Sequence, residues 1–298
     1  MEYYVDLHLH SCHSDGVHTP KELVRIASQK GLRAIAIADH DSIDGIDSAL
    51  EEGDRLGVEV LPAVELSVSY SALRDVHLLG YLMDHHDQSF NSRLDGLRRS
   101  REERVEAILA RINGRLTVER RDPISYGEVL DQAGGAVGRP HIARVLMGRG
   151  YCRDMDEAFD RYLEPCNVPK PRFPIADAIK EIKRAGGLAV LAHPTSMCSN
   201  IVAVGNLIRE YRTMGLDGLE VYSNMCYKDD IIFIKNLARQ MGLLVTGGSD
   251  YHGHRPDEEL GELRDGTKIP YLVVEKLKEA RHGNGTNSGF NPTTSRGV

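Results

Sequence analysis

The five cysteines, Cys12, Cys152, Cys166, Cys198 and Cys226, contain no C-x-x-C pair. That spacing excludes a zinc ribbon and argues against a disulfide framework, so a reducing cytoplasm is the simplest setting. No apolar run approaches the roughly 20 residues of a membrane span. No charged segment followed by an apolar core opens the chain, so no signal peptide is expected. A basic surplus is also missing: 44 acidic against 37 basic residues leave a formal charge of −7. A broad duplex-DNA footprint is therefore not expected, whereas a small local anion pocket is compatible with that charge. There is no internal repeat and no G-x-S-x-G, so a serine hydrolase finds little support. What is present is 298 residues, 41% hydrophobic and 27% charged, the composition of one large soluble domain with room for an insertion.

Short β-rich apolar runs alternate with amphipathic stretches. YYVDLHLH, LRAIAIADH, VEVLPAVEL, VHLLGYLM, LAVLAHP, GLEVYS and LLVTGGSD read as strands. Helices are expected in TPKELVRIASQKG, NIVAVGNLIREYRTMG and YKDDIIFIKNLARQMG, the first opened by Thr19-Pro20 and closed by Gly31. This rhythm implies an α/β fold with a mainly parallel sheet, and about seven strands suit a barrel related to the (β/α)8 type. From about Asp87 to Arg172 the rhythm stops. A long charged helical stretch, SRLDGLRRSREERVEAILARI, precedes three shorter helices, in SYGEVLDQAGG, RPHIARVLMGRG and DMDEAFDRYL. The expected division is a barrel over 1–86 and 173–283, a helical cap over 87–172, and a flexible polar tail over 284–298.

The strand ends carry the chemistry. His8 and His10 alternate on the first strand and so share a face. The next runs deliver Asp39-His40-Asp41, Glu65, His193, and finally Asp250 with His252. In barrels of this kind the active site lies at the C-terminal ends of the strands, so five strands bring imidazole or carboxylate to one rim. His77 is the exception, because it precedes its apolar run; it reaches the same rim only if its strand is antiparallel or bends. An isolated H-x-H serves as readily as a structural pair. The whole set, however, exceeds what one tetrahedral metal uses, and imidazole with carboxylate but no thiolate favours Zn²⁺, Mn²⁺ or Fe²⁺ over soft-metal sites, Mn²⁺ being the ion expected first. Cys12, inside this His-rich segment, reads as a small buried residue or as a further ligand.

The motifs DLHLHSCHSDG, IADHD, VEL, VHLLGY, LAHP and GSDYHG, in that order, resemble those of the PHP (polymerase and histidinol phosphatase) phosphoesterases. The resemblance runs from residue 1 to about 255. It implies a distorted (β/α)7 barrel with two to three divalent metals. By motif, one metal would take His8, His10, Glu65 and Asp250. Glu65 would bridge to a second, held also by His77 and His193, and Asp15, His40 and His252 would take a third. Some family members carry His where this chain has Asp15. Glu65, His193 and Asp250 are the ligands on which turnover would chiefly depend, through metal-activated water without a covalent intermediate.

Within that family the helical cap and GRPHIAR resemble stand-alone enzymes acting on nucleoside 3′,5′-bisphosphates and short 5′-phosphorylated RNA. Arg139 and His141, at a predicted helix start after Gly134-Gly135, would bind the second phosphate, and His254 is a further candidate contact beside Arg255. Asp41 is expected to orient a ligand histidine or cap a helix, and Glu220 and Tyr222 to pack at the rim. Histidinol-phosphate phosphatase is the alternative activity, and a non-catalytic module of the polymerase type the alternative class. Expected partners are phosphorylated small molecules or short oligonucleotides, not membranes; oligomeric state stays open.

Overall fold

A computed structural model describes residues 2–71, 73–169, 173–255 and 258–285; most of the expected tail, 286–298, lies outside the described residues. Seven strands form the body: β1 (Tyr4–Leu9), β2 (Ala34–Ile37), β3 (Glu59–Tyr70), β4 (Leu73–Tyr81), β5 (Leu188–Leu191), β6 (Gly218–Ser223) and β7 (Leu244–Gly248). A two-residue strand, β8 (Ile269–Pro270), pairs antiparallel with β1, giving the order β7-β6-β5-β4-β3-β2-β1-β8. The curled sheet nearly closes: Leu9 bridges to Tyr251, and the His10 N–H donates to the Tyr251 carbonyl at 2.9 Å. Gly248 makes this approach sterically feasible, since a Cβ there would lie 2.5 Å from the His8 nitrogen. The distorted barrel expected from the sequence is the architecture observed.

Strand direction settles the His77 question. β4 runs antiparallel to both β3 and β5, so the start of its apolar run lies at the rim where its neighbours end. Ser67 of β3 pairs with His77. The sheet is therefore mixed, not uniformly parallel.

Around it pack α1 (Pro20–Gln29), α2 (Ile46–Leu56), α7 (Ile175–Arg184), α8 (Ile201–Thr213), α9 (Lys228–Met241) and α10 (Leu272–Gly285). The helices expected from the sequence do not include α2, α7 or α10. Neither α2 nor α7 has a side-chain N-cap, so the usual start signal is missing.

Between β4 and α7 lie α3 (Gln88–Val118), α4 (Tyr126–Leu130), α5 (Arg139–Gly148) and α6 (Met155–Ala158). The last continues as a π-turn over Phe159–Leu163 where one regular helix was expected. α3 serves two cores. Phe90 and Leu94 join the barrel core, whereas Val105, Ile108, Leu109, Ile112 and Leu116 join a separate core with Val129, Ile142, Leu146 and Tyr162. Arg101 and Arg104 fall at the changeover, on the inward stripe set by the spacing of three and four. Gly134 and Gly135 lie against the His-rich loop, where a Cβ would come within 2.4 Å of the Cys12 oxygen and 2.2 Å of the His13 oxygen. The Ala136 N–H donates to the His13 carbonyl at 2.7 Å. The helical segment is thus pinned beside the barrel rim. Among the described residues, no helix is long and apolar enough to cross a membrane.

Candidate metal centre

All nine residues proposed as ligands converge at the rim. His8 Nε2 is 3.5 Å from both Glu65 Oε2 and Asp250 Oδ1, and His10 Nε2 is 3.4 and 3.1 Å from the same two atoms. Metal–ligand bonds of about 2.0–2.2 Å give ligand–ligand edges of about 3.3–3.6 Å, and the donor atoms of His8, His10 and Glu65 all lie within 4.8 Å of one another, with Asp250 approaching both imidazoles. The other Glu65 oxygen, Oε1, meets His77 Nδ1 at 3.0 Å and His193 Nε2 at 3.1 Å. On the far side of His10, Asp15 Oδ1 is 3.3 Å from His252 Nε2, and Asp15 Oδ2 is 3.9 Å from His40 Nε2. His40 Nδ1 also reaches Glu65 Oε2 at 2.9 Å, so its ring spans two groups.

The backbone is bent to make these meetings. His193 (φ 24°) and Asp250 (φ 55°) both occupy the left-handed region just past strand ends, a strained geometry that non-glycine residues adopt at functional sites.

The polar bookkeeping around the cluster is incomplete without a cation. Despite these close approaches, none of the contacts of His8 Nε2, His10 Nε2, Asp15 Oδ1, His40 Nδ1 and Glu65 Oε2, all buried, is aligned as a hydrogen bond, an arrangement costly to leave uncompensated. Burial alone would raise the Glu65, Asp15 and Asp250 carboxyls, yet the surrounding histidines hold all three well below the usual range. They are carboxylates and acceptor-only. Burial opposes a charge on His252, but Asp15 outweighs it and pushes the imidazole up to about 10. The residues fit divalent cations held by mixed nitrogen and oxygen donors.

The ligands are held from behind. His8 Nδ1 lies 2.9 Å from Glu220 Oε1, and Glu220 Oε2 accepts the His193 N–H at 2.7 Å. Asp39 takes the Ser11 N–H and both the Ser11 and Ser14 hydroxyls, at 2.6–2.7 Å, folding the His-rich loop. Asp41 orients no ligand histidine: it accepts the Ser67 N–H and the Arg101 Nε–H. Glu220 is more than rim packing, and Tyr222 points away, to Lys235. Cys12 is a free thiol that burial and then Asp39 push up, and among the described residues it joins none of the metal-capable groups.

Beside the cluster is a cavity of about 180 Å³, where Asp15, His40 and His77 face Arg101, Arg104 and Arg139. Arg101 bonds Asp41 and the Ser67 hydroxyl; Arg104 bonds the Val168 carbonyl and Asn167. Arg139 stacks on Phe159 and pairs with Glu164 at 2.7 Å. His141 does not line this cavity. It is fully buried, its Nδ1 accepts the Gly138 N–H at 2.9 Å as a helix cap, and burial brings it down to about 4. His254 lines an adjoining space instead, where it and Arg144 converge on the Asp15 carbonyl at 2.6 and 2.5 Å. Arg255 instead pairs with Asp156 of α6.

Arg101 and Arg104 were hidden in a charged run. The signal that exposes them is register: following Phe90, Leu94 and Leu97, positions 101 and 104 continue the apolar stripe, yet both are arginine.

A profile of the PHP domain matches residues 6–164. The chain is 33% identical to a 5′-3′ exoribonuclease of Haemophilus influenzae, covering 91% of this chain and 98% of that protein. It is 30% identical to a 3′,5′-nucleoside bisphosphate phosphatase of Chromobacterium violaceum, over 83% of this chain and 87% of the relative. Its fold is similar to the crystal structure of a metal-dependent phosphoesterase from Bifidobacterium adolescentis, with a TM-score of 0.80 and 28% identity, covering 94% and 96% of the two chains.

Proposed function

The chain belongs to the PHP domain family of metal-dependent phosphoesterases, and from that premise we propose that it hydrolyses the 3′-phosphate of nucleoside 3′,5′-bisphosphates and shortens 5′-phosphorylated RNA by the same bond cleavage. The observation that carries this reading is the cavity in which three arginines face three of the candidate ligands. A substrate with one phosphate at the cluster needs an anion site beside it only if it has a second phosphate. Arginine forks suit that role. The named activities of the two relatives agree with it, and neither relative is a histidinol-phosphate phosphatase.

His8, His10, Glu65 and Asp250 would hold one metal, Glu65 with His77 and His193 a second, and Asp15, His40 and His252 a third. Mn²⁺ is the first candidate for their identity. When bound, divalent cations activate water and offset charge on the transferring phosphoryl group. The protein's own groups do the rest. Glu220 and Ser196 fix the His8 and His193 rings; Arg101, Arg104 and Arg139 set the distance between the substrate's two phosphates; residues 87–172 act as a cap on the barrel of 1–86 and 173–283. So small a cavity takes one phosphate group of a phosphorylated nucleotide or short single strand and does not admit duplex DNA. A cytoplasmic setting agrees with the free cysteines.

The test is phosphate release by protein supplied with Mn²⁺, Zn²⁺ or Fe²⁺, on adenosine 3′,5′-bisphosphate, AMP and histidinol phosphate. Adenosine 3′,5′-bisphosphate should be converted to AMP with the highest kcat/KM, and chelator should abolish it. Preference for histidinol phosphate would reject the nucleotide reading.

A further inference from the structure

The arginine-lined cavity lies on one flank of the cluster. Asp15, Pro140 and Phe159 line both that cavity and a second space of about 460 Å³, which Asp250 and His252 also border. Asn224, Met225 and Arg264 line it and also line a third space of about 530 Å³, which continues to Tyr227 and Lys228. The shared residues make the two spaces one groove, running outward from the candidate ligands over the ends of β7 and β6.

The groove floor is fixed in place. Asn224 donates to the Ser249 carbonyl at 2.7 Å and accepts the Arg264 N–H at 2.8 Å, tying the β6 end, the β7 end and the loop before β8 together. Its charges are unevenly engaged. Glu258 accepts the Gly253 and His254 N–H groups, and Asp265 the Thr267 N–H. Among the described residues, the exposed Arg264 guanidinium has no hydrogen-bond or ion-pair partner. Tyr227 is 83% and Met225 52% exposed, so a ring and a thioether stand in water beside an unengaged cation. An exposed aromatic ring beside an unengaged guanidinium suits the base and phosphate of one nucleotide of a single strand, and continuity with the cluster points the same way.

We propose that this groove holds the part of a 5′-phosphorylated oligoribonucleotide that continues beyond the phosphodiester at the cluster, with a base on Tyr227 and a backbone phosphate on Arg264. The proposal rests on the phosphoesterase reading above. It fixes the polarity of the strand: the first nucleotide's 5′-phosphate lies against Arg101, Arg104 and Arg139, and the remaining chain leaves past Asn224 towards Arg264 and Tyr227. In the reaction, the water oxygen bonds to phosphorus and the P–O3′ bond breaks. O3′ departs with one proton from water, the other going to solvent. The shortened chain keeps the phosphate as a new 5′-phosphate and is itself a substrate. Bisphosphates, which end at the scissile phosphate, do not reach the groove.

The experiment uses the full chain with Mn²⁺ and compares adenosine 3′,5′-bisphosphate with a 5′-phosphorylated pentaribonucleotide, for wild type, Tyr227→Ala and Arg264→Ala. Fluorescence anisotropy of the pentamer on metal-free protein across a salt series gives a readout independent of turnover. Tyr227→Ala should lower kcat/KM for the pentamer about tenfold and leave the bisphosphate rate unchanged. Arg264→Ala should weaken pentamer binding and reduce the slope of log affinity against log salt by about 0.7, the value for one single-strand phosphate contact. Unchanged pentamer cleavage and binding in both variants overturns the groove, as does equal loss on both substrates. Wild type that cleaves the bisphosphate but not the pentamer also overturns it while leaving the phosphatase reading intact. Wild type that cleaves neither rejects that reading instead, and the anisotropy series alone then decides the groove.

Discussion

Glu220 Oε1 lies 2.9 Å from His8 Nδ1, and both side chains are fully buried. The carboxylate fixes the imidazole so that Nε2 points at Glu65 and Asp250, and raises its basicity as a ligand. Glu220→Gln keeps the shape but loses the charge. Metal affinity should fall about 10- to 100-fold, and excess metal should restore much of the turnover. Titration of metal-stripped protein with Mn²⁺, followed by activity, checks both points. An unchanged titration midpoint would leave Glu220 a packing residue.

Glu65 should matter more than any other single ligand, because its two oxygens serve different groups: Oε2 faces His8 and His10, and Oε1 faces His77 and His193. Glu65→Ala should lose more bound metal than Asp15→Ala, whose carboxylate serves only the third group, and turnover should drop by orders of magnitude. Elemental analysis of the two purified variants makes the comparison. Equal losses would mean that Glu65 does not bridge.

Metal uptake should release protons at neutral pH. His252, pushed up to about 10 chiefly by Asp15 against the opposing effect of burial, is charged without metal, whereas a metal takes neutral imidazole. Its raised value means that the His252–Asp15 pair stabilises metal-free protein fully below the ordinary 6.5, and that this contribution fades as pH rises towards about 10. Over the same window metal affinity should increase. Calorimetry in buffers of different ionisation enthalpy counts the protons; no buffer dependence near pH 7 would contradict the assignment.

His141 gives the opposite sign. Burial, outweighing the nearby Asp15 charge, lowers it from 6.5 to about 4, so the unfolded chain takes up a proton first as pH falls. Stability is then highest above 6.5 and is lost down to about 4, by about 3 kcal/mol over the whole window. His141→Asn removes the titrating group, and its urea-denaturation midpoint should fall less steeply with acid than that of the wild type. Parallel curves would show that His141 does not titrate between the two states.

Much of this site is legible in the sequence itself. Strand ends marked by His8, His10, His40, Glu65, His193 and Asp250 are local patterns, and the barrel rule brings them together. His77 depended on strand direction, which a run of apolar residues does not encode; only the antiparallel pairing of β4 puts it beside Glu65. His141 looked like an anion contact because it opens a helix, but its ring turns back to cap Gly138. Arg101 and Arg104 were masked by the charges around them, and their inward register becomes visible only against the two cores that α3 joins. Glu220 reads from the sequence as rim packing because a carboxylate on an interior strand looks the same whether it packs or orients a neighbour.

The central claim is that the arginines hold a second phosphate beside the metal cluster, and the most direct measurement is kcat/KM for adenosine 3′,5′-bisphosphate against 3′-AMP, on wild type and on Arg139→Ala. A charge-assisted contact shielded from water contributes about 1.5–3 kcal/mol, or roughly ten- to hundredfold. Wild type should favour the bisphosphate by at least that factor, and Arg139→Ala should erase much of the preference while 3′-AMP hydrolysis holds steady. Equal rates on the two substrates in wild type, or equal losses on both in the variant, would contradict the account.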